Sequence, residues 1–462
     1  MDDYEINDDN EILVFPTNFK FGSSVAAYQV EGNSGERKAD WDQFLKENPH
    51  IIKHNEKGPE WWKPGVAEKD LTSMADLGLK IQRISLEWAR IEPEKGTINH
   101  DAIARYRQII KKIFQLGMSP LVTLNHYVLP EWVAKEGSWE GAHIAKYYHR
   151  YVELMVSEFP EVTHWLTLNE PNVTIIMGYV TNYFPPQRNS LFAAIKASKN
   201  MIEAHKRAYH AIKNANPNAK VGVAYDFRWD RASNANDPFE RLYTSMVNYF
   251  GELWYVDAMI GTSDFIGCNF YTGYFLNLNL LKFKLKFPSD KHRMAKTLIF
   301  GEEEQPDAYE SDFGWPIVPD FLLNTLHILH HSYKLPILIT ENGIADKHDK
   351  HRSFFILTHL VAVWRALHEG VPVRHYIHWS SVDNLEWAEG YTKKFGLIDV
   401  DPVTGARKVR KSAHLYKEIA TTGKIDIKHL IETYIEGDEQ KERANEVIRK
   451  LLRGELSRRI KK

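Results

Sequence analysis

HWLTLNE at residues 164–170 and PILITE at residues 336–341 have one shape: a short apolar run of strand-forming residues that stops abruptly on a glutamate. A run of that length between polar flanks reads as a strand buried on both faces, as in parallel sheets. Working outward, similar runs recur at residues 19–25, 79–85, 118–124, 220–225, 264–270 and 373–379 and make eight candidate strands with those at 164–168 and 336–340. Amphipathic helical patterns lie between them at residues 101–116, 142–158, 191–214, 319–331 and 353–369. Gly117, Pro217 and Gly370 follow three of these helices, where stop signals belong. Eight βα units in one chain predict an α/β fold, a single closed (β/α)8 TIM barrel, because closure removes the two unprotected edges of an open sheet. The connections at residues 26–68 and 271–318 are longer than usual. They predict extended βα loops that shape a site.

This reading assigns residues 15–420 to the barrel, with an acidic segment at 1–14 and a charged, partly helical extension at 421–462. Within the extension, residues 438–452 align Ala444, Val447, Ile448 and Leu451 in one stripe, predicted to pack on the barrel exterior or on a partner. Hydrophobic residues make up 43% of the 462 and charged ones 26%, a globular composition. With 59 Lys and Arg against 61 Asp and Glu the net charge is -2, so no positive field favours nucleic acid or an anionic membrane. Cys268 is the single cysteine and forms neither an intramolecular disulfide nor a multi-cysteine cluster. The opening MDDYEINDDNE is acidic where a secretory signal needs a basic start, and no apolar run is long enough to span a bilayer. A cytoplasmic protein without nucleic-acid or membrane partners is the expectation, with a homo-oligomer left open. There is no HExxH segment, no compact His/Asp cluster on one strand end and no phosphate or dinucleotide glycine fingerprint, so neither metal nor cofactor is expected.

Glu170 and Glu341 end the fourth and seventh strands. Side chains at the C-terminal ends of barrel strands converge above the packed interior. A carboxyl kept protonated there can give a proton to a leaving oxygen, while an ionised one can attack the carbon left electron-poor. Around them Gln29, His126, Asn169, Asn269 and Glu386 can bond hydroxyls, and Trp379 and Trp387 can stack on the apolar face of a pyranose. Arg83, inside the second strand IQRIS, is expensive to bury alone, and Glu341 is its natural partner. The plainer alternatives are a solvated strand end for each glutamate, a structural His126, a core Trp387 and an Arg83 that points out through the wall.

The chain resembles glycoside hydrolase family 1, the β-glucosidase and β-galactosidase family, collinearly over residues 15–420. The resemblance rests on FPTNFKFGSSVAAYQVEG at 15–32, TLNEPN at 167–172, ITENG at 339–343 and WSSVDNLEWAEGY at 379–391. It implies a metal-free enzyme that hydrolyses terminal β-linked sugars with retention, acting on small β-glycosides or short oligosaccharides. On this resemblance Glu170 is the acid/base and Glu341 the nucleophile. Gln29, His126 and Asn169 are hydroxyl contacts, with Asn269 on the strand beside them. Tyr271 of GCNFYTG is a hydroxyl partner of the nucleophile, and Trp379, Glu386 and Trp387 are the floor and wall of the sugar pocket.

Two positions depart from the family pattern: Tyr127-Val128 stands where an aromatic followed by Asp or Thr is common, and His378 precedes Trp379 in place of Tyr. Both are expected to alter pocket packing and to leave the catalytic groups intact. Glu386-Trp387 stands where 6-phosphosugar enzymes carry small polar residues, and a carboxylate there repels phosphate, so a neutral sugar is expected despite Lys393 and Lys394 nearby. A noncatalytic carbohydrate-binding barrel and a 6-phospho-β-glycosidase are the alternatives.

Overall fold

Strands β1 Lys20–Ser24, β2 Ile81–Ser85, β3 Ser119–Thr123, β4 His164–Asn169, β5 Lys220–Phe227, β6 Phe265–Phe270, β7 Ile337–Asn342 and β8 Val373–Trp379 are parallel neighbours in chain order. The ring closes where β8 pairs with β1, Tyr376 opposite Phe21 and Trp379 opposite Ser24. The computed structural model describes residues 12–32, 35–277, 302–303 and 308–455. All eight expected strands are present, and their ends fall within two residues of the sequence reading.

Strand alternation explains the layers. Ile81, Leu121, Leu166, Ala224, Phe265, Leu338 and Ile377, from β2 to β8, form one buried cluster inside the barrel. Neighbouring residues such as Trp165, Val223 and Ile339 belong to the larger core under the helices. Those helices are α1 Val66–Asp76, α2 His100–Gln115, α3 Ile144–Glu158, α4 Leu191–Ala215, α5 Pro238–Asn248, α6 Pro319–Tyr333, α7 Arg352–His368 and α8 Lys411–Thr422. Helices α1, α5 and α8 lie outside the five helical patterns named from the sequence; in α5 the apolar residues Phe239, Leu242 and Met246 face solvent and form no core stripe.

The two strands that lead to Glu170 and Glu341 slip register just before them, β4 between Leu166 and Asn169 and β7 between Ile339 and Glu341. Such bulges re-aim side chains, here at the mouth of the barrel. In the extension, helix α9 Asp438–Arg453 packs on α7, with Ala444, Ile448 and Leu451 buried. Its stripe therefore faces the barrel exterior. Ile12–Val14 pairs antiparallel with Lys424–Asp426, so the first described strand is tied to the start of the extension. Among the described residues no helix is long and apolar enough to cross a membrane.

Candidate active site

Glu170 occupies the turn from β4 into the short helix Pro171–Ile175, with φ 44° and ψ 62°. The proline at the first helical position suits its fixed φ to that turn. Glu341 lies one bulge beyond Ile339 on β7, and the chain leaves through Gly343. A Cβ on Gly343 would stand 1.9 Å from the carbonyl oxygen of Trp379, so only glycine lets β7 and β8 approach this closely.

Arg83 is fully buried and spends its donors on the neighbouring strand ends. Its Nη1 donates to Glu341 Oε1 at 2.6 Å and to the Thr340 carbonyl at 3.1 Å, Nη2 to Asn169 Oδ1 at 2.5 Å and Nε to Thr123 Oγ1 at 3.1 Å. Tyr271 donates its hydroxyl to Glu341 Oε2. Glu170 has neutral partners: Asn269 Nδ2 donates to Oε1 at 2.5 Å, and the Tyr127 hydroxyl donates to Oε2. Asn269 is itself aligned by the Thr340 hydroxyl at 2.7 Å and also donates to Asn169 at 3.2 Å. One connected network thus fixes both carboxyls.

Burial raises the proton affinity of each. Glu341 is pushed up to about 7 by burial and by the charge of Glu170, against the pull of Arg83 and Tyr271. Glu170 is raised by burial against its bonds from Tyr127 and Asn269. Two such carboxyls titrate as a pair. A guanidinium in contact with Glu341 favours the anion there and leaves the shared proton to Glu170.

A cavity of about 590 Å³ opens above the pair, within the range of small-molecule sites. His126, Asn169, Tyr271, Trp379, Glu386 and Trp387 line it. His126 lies nearly parallel to Trp379 and Trp387, with ring centres 5.8 and 6.0 Å away. Asn169 Oδ1 already receives Arg83 and Asn269, so its amide donates to His126 Nε2 at 3.2 Å, which places the imidazole proton on Nδ1. That Nδ1 has no protein partner. Burial and the charge of Arg83 hold His126 neutral, well below the usual imidazole range.

Gln29, Arg83 and Asn269 stand behind this lining. Gln29 Nε2 donates to the Leu385 carbonyl at 2.6 Å and to Asn384 Oδ1 at 3.1 Å, which leaves its Oε1 and the neighbouring Glu386 Oε2 without partners. Burial, and then the charges of Glu341, Glu389 and Glu170, raise Glu386 well above the usual carboxyl range. The expected repulsion of phosphate therefore rests on the summed carboxyls of the cavity more than on Glu386 alone.

The sequence reading missed three groups. The Tyr127 hydroxyl reaches Glu170 from a backbone at φ 70°, a contact the aromatic pattern does not reveal. Asp226 and Glu252 also line the cavity. KVGVAYD at residues 220–226 is another apolar run that ends on an acid, the signal already used for Glu170 and Glu341. Glu252 sits in a segment with no core periodicity to mark it.

The family model described as Glycosyl hydrolase family 1 matches residues 12–261 and 254–425. Beta-glucosidase A of Thermotoga maritima is 30% identical, covering 88% of this chain and 97% of its own. A beta-galactosidase of Saccharolobus solfataricus is also 30% identical, over 90% of this chain and 97% of its own. Among solved structures, the beta-glycosidase from Pyrococcus horikoshii superposes with a TM-score of 0.80 at 31% identity, over 93% of this chain and 99% of that one. The matched segments contain both strand-end glutamates and the walls of the cavity, and the chain belongs to glycosyl hydrolase family 1.

Proposed function

We propose that the protein is a retaining β-glycosidase of terminal, neutral β-D-glycosyl residues. The observation that carries this reading is the unequal environment of the two carboxyls: a guanidinium on Glu341 at 2.6 Å, and neutral donors on Glu170. In the first step a Glu341 oxygen attacks the anomeric carbon as the bond to the aglycone oxygen breaks, and that oxygen takes the proton of Glu170. The product is an ester between Glu341 and the sugar. In the second step Glu170, now ionised, removes a proton from water, whose oxygen attacks the anomeric carbon and releases Glu341.

Glu386, Gln29, His126 and Asn169 bind the hydroxyls of the sugar, and Trp379 and Trp387 wall it from water. Three of the polar atoms this requires, Gln29 Oε1, His126 Nδ1 and Glu386 Oε2, have no hydrogen-bond partner among the described residues. Each is buried, and a ligand hydroxyl would satisfy it. A 6-phosphosugar is disfavoured, because Glu170, Glu341, Glu386 and Glu389 all border the cavity. Similarity to both a β-glucosidase and a β-galactosidase supports a neutral hexose. A 2-fluoro glycoside with a good leaving group tests the mechanism. The expected result is a stoichiometric ester on Glu341 by peptide mass spectrometry and first-formed product of the β configuration. Label on another residue, or initial inversion, overturns the reading.

A further inference from the structure

The end of the cavity beyond Glu170 carries two more carboxyl groups, outside the network that holds the catalytic pair. Asp226 ends the apolar part of β5, and Glu252 lies in the turn Tyr249–Leu253 that continues α5. Asn172, two residues after Glu170, ties both to the acid/base. Its Nδ2 donates to the Asp226 carbonyl at 2.9 Å and to the Gly251 carbonyl at 3.1 Å, and its Oδ1 accepts from the Asp226 amide at 3.4 Å. The two acids are therefore fixed relative to the group that meets the leaving oxygen.

Neither carboxyl is used up by the protein. Glu252 is 6% exposed; its Oε1 accepts the amides of Arg228 and Trp229 at 3.1 and 3.2 Å, while its Oε2 has no partner. The carboxyl oxygens of Asp226 accept no hydrogen bond from any described residue. Arg228 lines the same end, but its guanidinium is paired with Asp230 at 2.7 Å. A buried oxygen without a donor, as Glu252 Oε2 is among the described residues, is costly unless a ligand supplies one, and half-buried Asp226 stands beside it on the cavity wall. Burial with the charge of Glu170 raises Asp226, and burial with the charge of Asp230 pushes Glu252 up to about 8. Both shifts persist against the charge of Arg228, which draws each carboxyl the other way.

We propose that Asp226 and Glu252 form a leaving-group subsite that selects a cationic aglycone, one with an ammonium group a few bonds from the glycosidic oxygen. Arg228 is one guanidinium among Asp226, Asp230 and Glu252; an ammonium brings three donors and a second positive charge, whereas a neutral alkyl group would leave the oxygens bare. The position of the subsite rests on the reading of Glu170 as acid/base; the choice of a cation rests on the unpaired oxygens.

The test compares 3-aminopropyl, 3-hydroxypropyl and 3-acetamidopropyl β-glycosides of one neutral sugar on the intact protein. The expected result is a kcat/KM about tenfold higher for the amine than for the acetamide, the value of roughly one modest ion pair. Asp226→Asn should bring that ratio close to one, and Glu252→Gln should do the same unless loss of its turn contacts unfolds the protein, in which case Asp226→Asn decides. Equal rates for the three aglycones in the parent, or an amine preference that survives Asp226→Asn, overturn the proposal. So does equal preference for amine and alcohol, which would show donor recognition without charge. Label from the 2-fluoro sugar on a residue other than Glu341 would count against the mechanism alone, since the amine ratio is read independently of it.

Discussion

Tyr127 donates its phenolic hydroxyl to Oε2 of Glu170, while its ring packs edge-on to Trp387 with centres 4.9 Å apart. The ring and the hydroxyl therefore have separable roles, and Tyr127→Phe removes only the second. A hydroxyl donor favours the carboxylate over the acid, so its loss raises the proton affinity of Glu170. The alkaline limb of kcat/KM, which reports the acid form of Glu170, is expected to move to higher pH. The second step, which needs Glu170 as a base, should lose the donor that orients it. A pH profile that superposes on the parent would remove Tyr127 from the mechanism.

Arg83→Met should act on the other carboxyl. Without the guanidinium, Glu341 rises further from its value of about 7, so the acidic limb moves up and fewer molecules hold the nucleophile ionised. Labelling by a 2-fluoro sugar is expected to slow by about 10²–10³-fold, the usual effect of removing one strong donor from a reacting charge. The variant should also melt earlier, and by more at pH 8 than at pH 5, because protonation relieves the unpaired acid. Equal losses of Tm at both pH values would show that the pair is not electrostatically coupled.

Stability of the parent should fall as pH rises above about 6.5. Burial holds Asp40 and Glu341 up to about 7, and Glu87 and Glu252 up to about 8, so these groups keep protons that the unfolded chain has already lost. Their contribution is complete below the unfolded carboxyl range and disappears as pH climbs through 7 and 8. Buried His205 and His375, held down to about 4, and His359 and His378, held down to about 3, work in the opposite sense. Their contribution is present above the unfolded imidazole value and lost as pH falls. The two sets offset each other between about pH 4.5 and 6.5, and only the carboxyls act above it. Calorimetry at intervals from pH 6 to 8.5 should show a declining Tm; a rising one would contradict the buried acids.

The sequence made the barrel legible because apolar runs and helical stripes report burial directly, and β4 and β7 end within one residue of the ends of HWLTLNE and PILITE. It could not show the register slips before Glu170 and Glu341, since a bulge leaves no compositional mark. Arg83 was readable for the opposite reason: a charge inside a strand demands a partner, and only a strand-end acid could supply one. Tyr127 escaped because a phenol and a phenyl ring are alike in a hydrophobic pattern. Helix α5 and Glu252 escaped because periodicity detects a face turned to the core, and Phe239, Leu242 and Met246 are turned to solvent.

Gly343→Ala tests how far the site depends on the approach of β7 to β8. The added methyl would meet the Trp379 carbonyl at 1.9 Å, so one strand must shift. Overpacking of this kind costs roughly 1–3 kcal/mol. Because Glu341 and Trp379 end the two strands, the labelling rate should fall by more than the change in Tm would suggest. An unchanged labelling rate in a destabilised variant would place the strain elsewhere.

Glu170→Ala separates the two carboxyls by the chemistry of the leaving group. An acid catalyst matters most when the departing oxygen is basic, so the variant should lose alkyl-glycoside and disaccharide cleavage severely. A dinitrophenolate leaves without much protonation, so the ester on Glu341 should still form from a dinitrophenyl glycoside. Its hydrolysis then becomes slow, because the residue that would deprotonate water is gone. Azide needs no deprotonation and can enter the space vacated between Tyr127 and Asn269, each of which loses the acceptor that Glu170 supplied. The expected outcome is an initial burst of dinitrophenolate, a slow steady state, and acceleration by azide with a β-glycosyl azide as product. Glu341→Ala should give no burst with the same substrate, since nothing remains to form the ester. Equal losses across poor and activated leaving groups, with no azide product, would refute Glu170 as the acid/base, because each signature depends on the proton that role would move.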